Sequence, residues 1–140
     1  MAAALTHGAA FAAEPPLPFV ELLIGPYRLD AELAQTPASR RLGLMGRASL
    51  PEDQGMLFVF PTTQRHCMWM RDTLIPLSVA FLDAAGRIIN LADMTPLSDK
   101  THCAAGRARY ALEMQQGWFA QRDIVAGQRL SGLDRLPAAR

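Results

Sequence analysis

The chain is almost without lysine. Of its 14 basic residues, Lys100 is the single lysine and thirteen are arginine, and only Arg40-Arg41 are adjacent. The formal net charge is +1. A nucleic-acid-binding domain gathers its basic charge into a patch or stripe, and this chain has none. No apolar run reaches the roughly 20 residues of a membrane-spanning helix. Cysteine is equally scarce. Cys67 and Cys103 are the only two, and they are far from the Cys-x-x-Cys spacing of redox proteins. None of the serines, Ser39, Ser49, Ser78, Ser98 and Ser131, lies in a Gly-x-Ser-x-Gly elbow.

What is present points to one exported domain. A chain of 140 residues buries about two-thirds of its unfolded surface on folding, so it has a core without metal or disulfide. Met1 to Ala13 is alanine-rich, and the small residues Ala10 and Ala12 fit a signal-peptidase site, although no lysine or arginine precedes them. Pro15-Pro16-Leu17-Pro18 reads as a stiff spacer. We therefore read residues 1–18 as a signal-peptide remnant or a disordered Ala/Pro-rich tail. Residues 19–132 form the domain and 133–140 a frayed end. The location that follows is periplasmic or secreted.

Hydrophobic periodicity predicts mostly strands. Phe19–Ile24 and Tyr27–Ala34 flank Gly25-Pro26 as a hairpin. In the second strand Tyr27, Leu29, Ala31 and Leu33 share one side. Thr36-Pro37 is a helix start, with Thr as N-cap and Pro at the first position. That helix runs to about Leu44, with Leu42 and Met45 inward and Arg40 and Arg41 outward. Met56–Phe60 is apolar throughout and reads as a central strand bounded by Pro61. Residues 65–70 form another strand. Leu77–Leu82 and Arg87–Leu91 make a hairpin, 93–106 a long loop, Arg109–Met114 a strand, 117–123 a helical turn, and 124–130 the closing strand. This is an all-β, single-domain sandwich or barrel-like fold of about seven or eight short strands with one short helix. Nothing in the pattern supports a parallel sheet.

Several segments, taken in order, resemble the domain of unknown function 192 family. They are Arg41-Leu42-Gly43-Leu44-Met45-Gly46-Arg47, Gly55–Phe60, Met68–Leu77, Ala80–Asp83, Met94-Thr95-Pro96 and Tyr110–Glu113. The resemblance covers roughly 20–130. It implies a small all-β sandwich with a short helix, frequent export signals and no established activity. Asp72 stands where the family usually has asparagine, and Ser78 where it often has aspartate.

The polar candidates cluster after the first cysteine. Trp69, Arg71, Asp72 and Thr73 put an aromatic ring, a guanidinium, a carboxylate and a hydroxyl together. Arg71 can hold an anion bidentately and Trp69 can offer a stacking face. Arg41 and Glu113 complete this candidate ligand site. The alternative for the same residues is a structural ion pair and turn cap. In an oxidising compartment Cys67 and Cys103 form a structural disulfide that ties the 93–106 loop to the 65–70 strand. The other readings of this pair are two free thiols or metal ligands. His66, Met68 and Met70 share one face of a regular strand, and with His102 they could hold Cu(I). Core packing is the alternative for the methionines. A third possibility is a weak hydrolase using Asp72 or Glu113. The leading expectation is a non-enzymatic, cofactor-free envelope protein, monomeric or weakly dimeric. Its partner is a small ligand or another envelope protein, with neither nucleic acid nor a membrane span involved.

Overall fold

Strands apolar on both faces organise this molecule, because period-two alternation then sends every second side chain to a different core. The structure is a computed structural model and describes residues 16–136; the expected leader at 1–13 lies outside the described residues. The strands are β1 (Phe19–Ile24), β2 (Tyr27–Ala34), β3 (Gln54–Gln64), β4 (Cys67–Met68), β5 (Leu77–Leu82), β6 (Ile88–Met94), β7 (His102–Cys103), β8 (Ala108–Gln115) and β9 (Leu130–Ser131). One α-helix, α1 (Pro37–Leu42), and two 3-10 turns at Ala120–Arg122 and Leu133–Arg135 complete the described elements. Seven strands form one sheet in the order β6-β5-β8-β3-β2-β1-β9, and β4 pairs with β7 separately. The sheet curls until its ends meet. Gly86 and Ile88, beside β6, exchange backbone hydrogen bonds with Gly127, Gln128 and Leu130.

The two cores follow from the alternation. Leu57 and Val59 of β3, Ala80 and Leu82 of β5, and Leu112 and Met114 of β8 point into the curl with Leu22, Leu29 and Trp118. Met56, Phe58 and Phe60, then Leu77, Val79 and Phe81, and Ala111 point to the opposite face. That face is covered by Leu44, Leu50, Met70 and Ala104 from the connections. Phe58 and Phe81 are fully buried there, and each such ring contributes about 1.5–3 kcal/mol.

Four expectations need correction. β2 and β3 are parallel, with Ala31 beside Gly55 and Leu33 beside Leu57, so the connection through α1 is a crossover. Leu42 is exposed and Leu44 takes the buried place, because the helix ends at Leu42 and Gly43 turns the chain. Pro61 does not end β3. It sits at the register shift with β8 between Val59 and Gln64, where its missing N–H costs no ladder bond. Of 124–130, only Leu130 enters a strand. Gly127 has φ +93°, and its turn spends its bonds on Ile88.

Thr36 caps α1 as its sequence implies. Its side-chain oxygen accepts from the Ser39 N–H at 3.1 Å, and the Ser39 hydroxyl accepts from the Thr36 N–H at 3.0 Å. Residues flanking the strands make contacts with them. The Leu33 N–H donates to the Pro18 carbonyl, Leu17 packs on the outer core, and Leu133 and Leu136 pack on the inner one.

Candidate functional site

The crossover places the end of α1 above the outer face of β3 and β8. Glu113 lies on that face, directly between Met56 of β3 and Val79 of β5. It is 3% exposed, and burial pushes its carboxyl up to about 8 from an ordinary 4.5, because a charged carboxylate loses its water there. At neutral pH it is an acid with a proton to donate.

A cleft of about 240 Å³ opens over Glu113. Arg40, Arg41, Leu42 and Gly43 of the α1 end form one side. Phe58 and Phe60 reach it from β3. Cys67, Met68, Trp69 and Thr73 form the opposite wall. The cleft exists because α1 is short. Gly43 turns the chain at φ +49°, and an added Cβ there would lie 3.3 Å from the Phe58 ring. A side chain would be strained as well as crowded.

The two arginines differ. Arg40 was expected to face outward, but it is half-buried, and its guanidinium donates to the Val59 carbonyl at 3.1 Å. Burial lowers its pKa from the usual arginine range. The Arg41 side chain is exposed at the cleft mouth and has no hydrogen bond or ion pair among the described residues.

The Trp69–Thr73 candidates divide. Trp69 and Thr73 line the cleft, Trp69 remaining 42% exposed. The Thr73 hydroxyl donates to the Arg71 carbonyl at 3.1 Å. Arg71 does not line the cleft. It lies over the Trp69 ring at 4.3 Å and pairs with Asp99 at 3.3 Å, which stiffens the wall from behind. Asp72 is exposed at φ +54°, a left-handed conformation that asparagine and aspartate tolerate best. Its backbone carbonyl accepts from Gly46. The position therefore has a conformational role. Ser78 is likewise structural, donating to Asp93 at 2.6 Å and accepting from the Gly117 N–H at 3.0 Å.

The cysteines are joined. Cys67 and Cys103 face each other across β4 and β7 with an S–S distance of 2.07 Å. The bond anchors the long loop to the cleft wall. The His/Met set is dispersed. The segment leaves the strand after Met68, Met70 is fully buried in the outer core, and the His66 ring stacks on Phe60 at 3.7 Å. His102 sits opposite Met68 in the ladder. Among the described residues no three of His, Cys, Asp and Glu converge as metal ligands.

A larger cavity, about 410 Å³, lies on the other side of α1 between Leu17 and Arg47. Its charged groups satisfy each other, Arg47 gripping Glu32 with two hydrogen bonds of 2.7 and 3.0 Å. Among the described residues it presents no unpaired charged group to a ligand. The signal that sequence reading missed was Arg40 together with Phe58 and Phe60. Only the parallel crossover brings them to Glu113.

The family model of DUF192, described as an uncharacterised ACR, matches residues 21–132. A search of the curated proteins found no match. Among solved structures, a protein of Sinorhizobium meliloti 1021 described as a candidate transcription regulator is 31% identical with a TM-score of 0.80, over 86% of this chain and 98% of its own. A protein of unknown function from Novosphingobium aromaticivorans DSM 12444 is also 31% identical, with a TM-score of 0.76 over 90% of this chain and 98% of its own. Both share this fold. The chain belongs to the DUF192 family, whose members are uncharacterised.

Proposed function

We propose that this chain is an exported, non-enzymatic small-ligand-binding domain of the cell envelope, and that the cleft between α1 and the Cys67–Thr73 wall is its site. One observation carries the reading. A guanidinium with no partner among the described residues (Arg41), a buried carboxyl whose pKa burial raises (Glu113) and an exposed aromatic face (Trp69) converge on a single concavity. Convergent polar groups in an apolar pocket are what small-molecule sites share. The disulfide supports export, since such bonds persist in oxidising compartments.

The competing readings have less behind them. Hydrolysis needs a second group to work with Glu113, and Asp72 lies outside the cleft lining. A Cu(I) site needs Met70 at an open face, and Met70 is buried. The description of the S. meliloti relative suggests DNA, but a net charge of +1 with scattered arginines gives no electrostatic footprint for it.

The test is fragment binding followed by amide chemical shifts of the labelled protein. Perturbations should gather at Arg41, Trp69, Thr73 and Glu113, and Trp69→Ala should remove them. Fragments that shift only residues remote from the cleft, or that act equally on the variant, would sink the proposal.

A further inference from the structure

The cleft confronts a ligand with two kinds of surface. Phe60, Met68 and Trp69 are apolar or aromatic, while Arg41 and Glu113 are polar and directional. A cationic ligand would meet the exposed Arg41 guanidinium at the cleft mouth, and like charges so placed exclude it. A neutral apolar ligand would take water from Arg41 and return no hydrogen bond. An oxyanion satisfies both groups. A guanidinium forks to two carboxylate oxygens, and a protonated carboxyl donates a short O–H···O⁻ bond to the same anion. Size narrows the class. A cleft of about 240 Å³ has the volume of about eight waters at ~30 Å³ each, so it suits a fragment-sized molecule.

Resting on the small-ligand reading above, we propose that the ligand is a small organic carboxylate, its anion between Arg41 and Glu113 and its apolar body against Trp69 and Phe60. Binding then carries a proton requirement. The anion is welcome while Glu113 is neutral and repelled once it ionises, near pH 8. Among the described residues, the other charged groups lining this cleft are Arg40 and Arg41, both on α1. β3 brings Phe58 and Phe60, β5 places Val79 beside Glu113, and the opposite wall brings the disulfide, Met68, Trp69 and Thr73.

Benzoate, benzamide and benzylamine serve as probes of one shape and three charges, titrated while the cleft amides and Trp69 are followed. Benzoate is expected to bind with a Kd on the order of 1 mM, as its few atoms allow. Benzamide should bind more weakly and benzylamine not at all. Between about pH 7 and about pH 9 the wild type should lose about tenfold in benzoate affinity, the ratio of protonated Glu113 at the two values. Glu113→Gln keeps a donor and cannot ionise, so its affinity should be flat with pH. Arg41→Gln, at an exposed position, should cost about tenfold at both pH values. Benzamide binding as tightly as benzoate, or a wild-type affinity flat across that range, overturns the proposal and leaves the cleft a binding site. If all three probes leave the cleft unmoved, the small-ligand reading beneath it falls as well.

Discussion

Replacing Glu113 by glutamine removes one titration and almost no volume, and its effect on stability can be worked out in advance. In the unfolded chain the carboxyl loses its proton near 4.5, and in the fold near 8. Below the lower value both states hold the proton, and the fold bears no penalty. Between the two, only the folded state holds it, so stability falls as pH rises, at about 1.36 kcal/mol per pH unit. Above the upper value both states are ionised and the loss is complete, at about 5 kcal/mol over the roughly 3.5 units between them. That is a large part of the ~5–15 kcal/mol that holds a domain together. Because Glu113 is buried, solvent screening does not soften the figure greatly. Urea unfolding of the wild type and Glu113→Gln at several pH values isolates the effect, because the other carboxylates cancel in the difference. The stability gap should move in favour of glutamine by about 1.36 kcal/mol per unit from about pH 5 to about pH 8, then level off. The offset at low pH reports only how well the amide fits. A gap constant with pH would refute the reasoning: Glu113 would then be ionised in the fold, and the cleft would hold a carboxylate rather than an acid.

Opening the disulfide with Cys67→Ser/Cys103→Ser should cost about 4 kcal/mol, from the entropy of closing a 36-residue separation, with a melting temperature lower by more than about 10 °C; an unchanged melt would show the β4–β7 ladder holding by itself. Gly43→Ala should lose about 1–2 kcal/mol from the positive φ and the Phe58 contact, and should narrow the cleft mouth, seen as weakened benzoate binding. Thr36→Ala removes the capping box and should cost about 1 kcal/mol in denaturant midpoint, with no change at the cleft.

The fold was legible where a local rule was strong. Thr36-Pro37 announced the helix, Gly25-Pro26 and Asp83–Gly86 announced hairpins, and the unbroken apolar run at Met56–Phe60 announced a strand with two buried faces. The parallel pairing of β2 and β3 left no such mark. A crossover usually declares itself by a helix of several turns, and this one carries only the six residues of α1. β7 was illegible for a similar reason, and β4 was read too long. A two-residue strand has no period, and its pairing rests on the disulfide and on the Met68–His102 register. Assuming a regular strand over 65–70 put Met70 beside His66. In the fold the chain bends after Met68, and Met70 turns into the core.

The site divides along the same line. Trp69, Thr73, Arg41 and Glu113 meet as their residue types suggested, whereas Arg71 and Asp72 were placed by chain proximity alone. Left-handed backbone at Asp72 turns that neighbourhood over, so that Arg71 stacks behind Trp69 and Thr73 faces the cleft. Glu113 was expected at the site, but its burial was not. A charged residue at an alternating strand position reads as solvent-facing, and Glu113 occupies a core position between Met56 and Val79. A group so placed destabilises the sheet whenever it ionises, and a hydrophobic residue would avoid that cost. The short α1 leaves room above this position, and Gly43 keeps that room open without filling it. A sequence that needed only a packed core could extend the helix by a turn and replace Glu113 with leucine. The cleft, the exposed Arg41 and the buried acid are thus one arrangement, each of little structural use without the others.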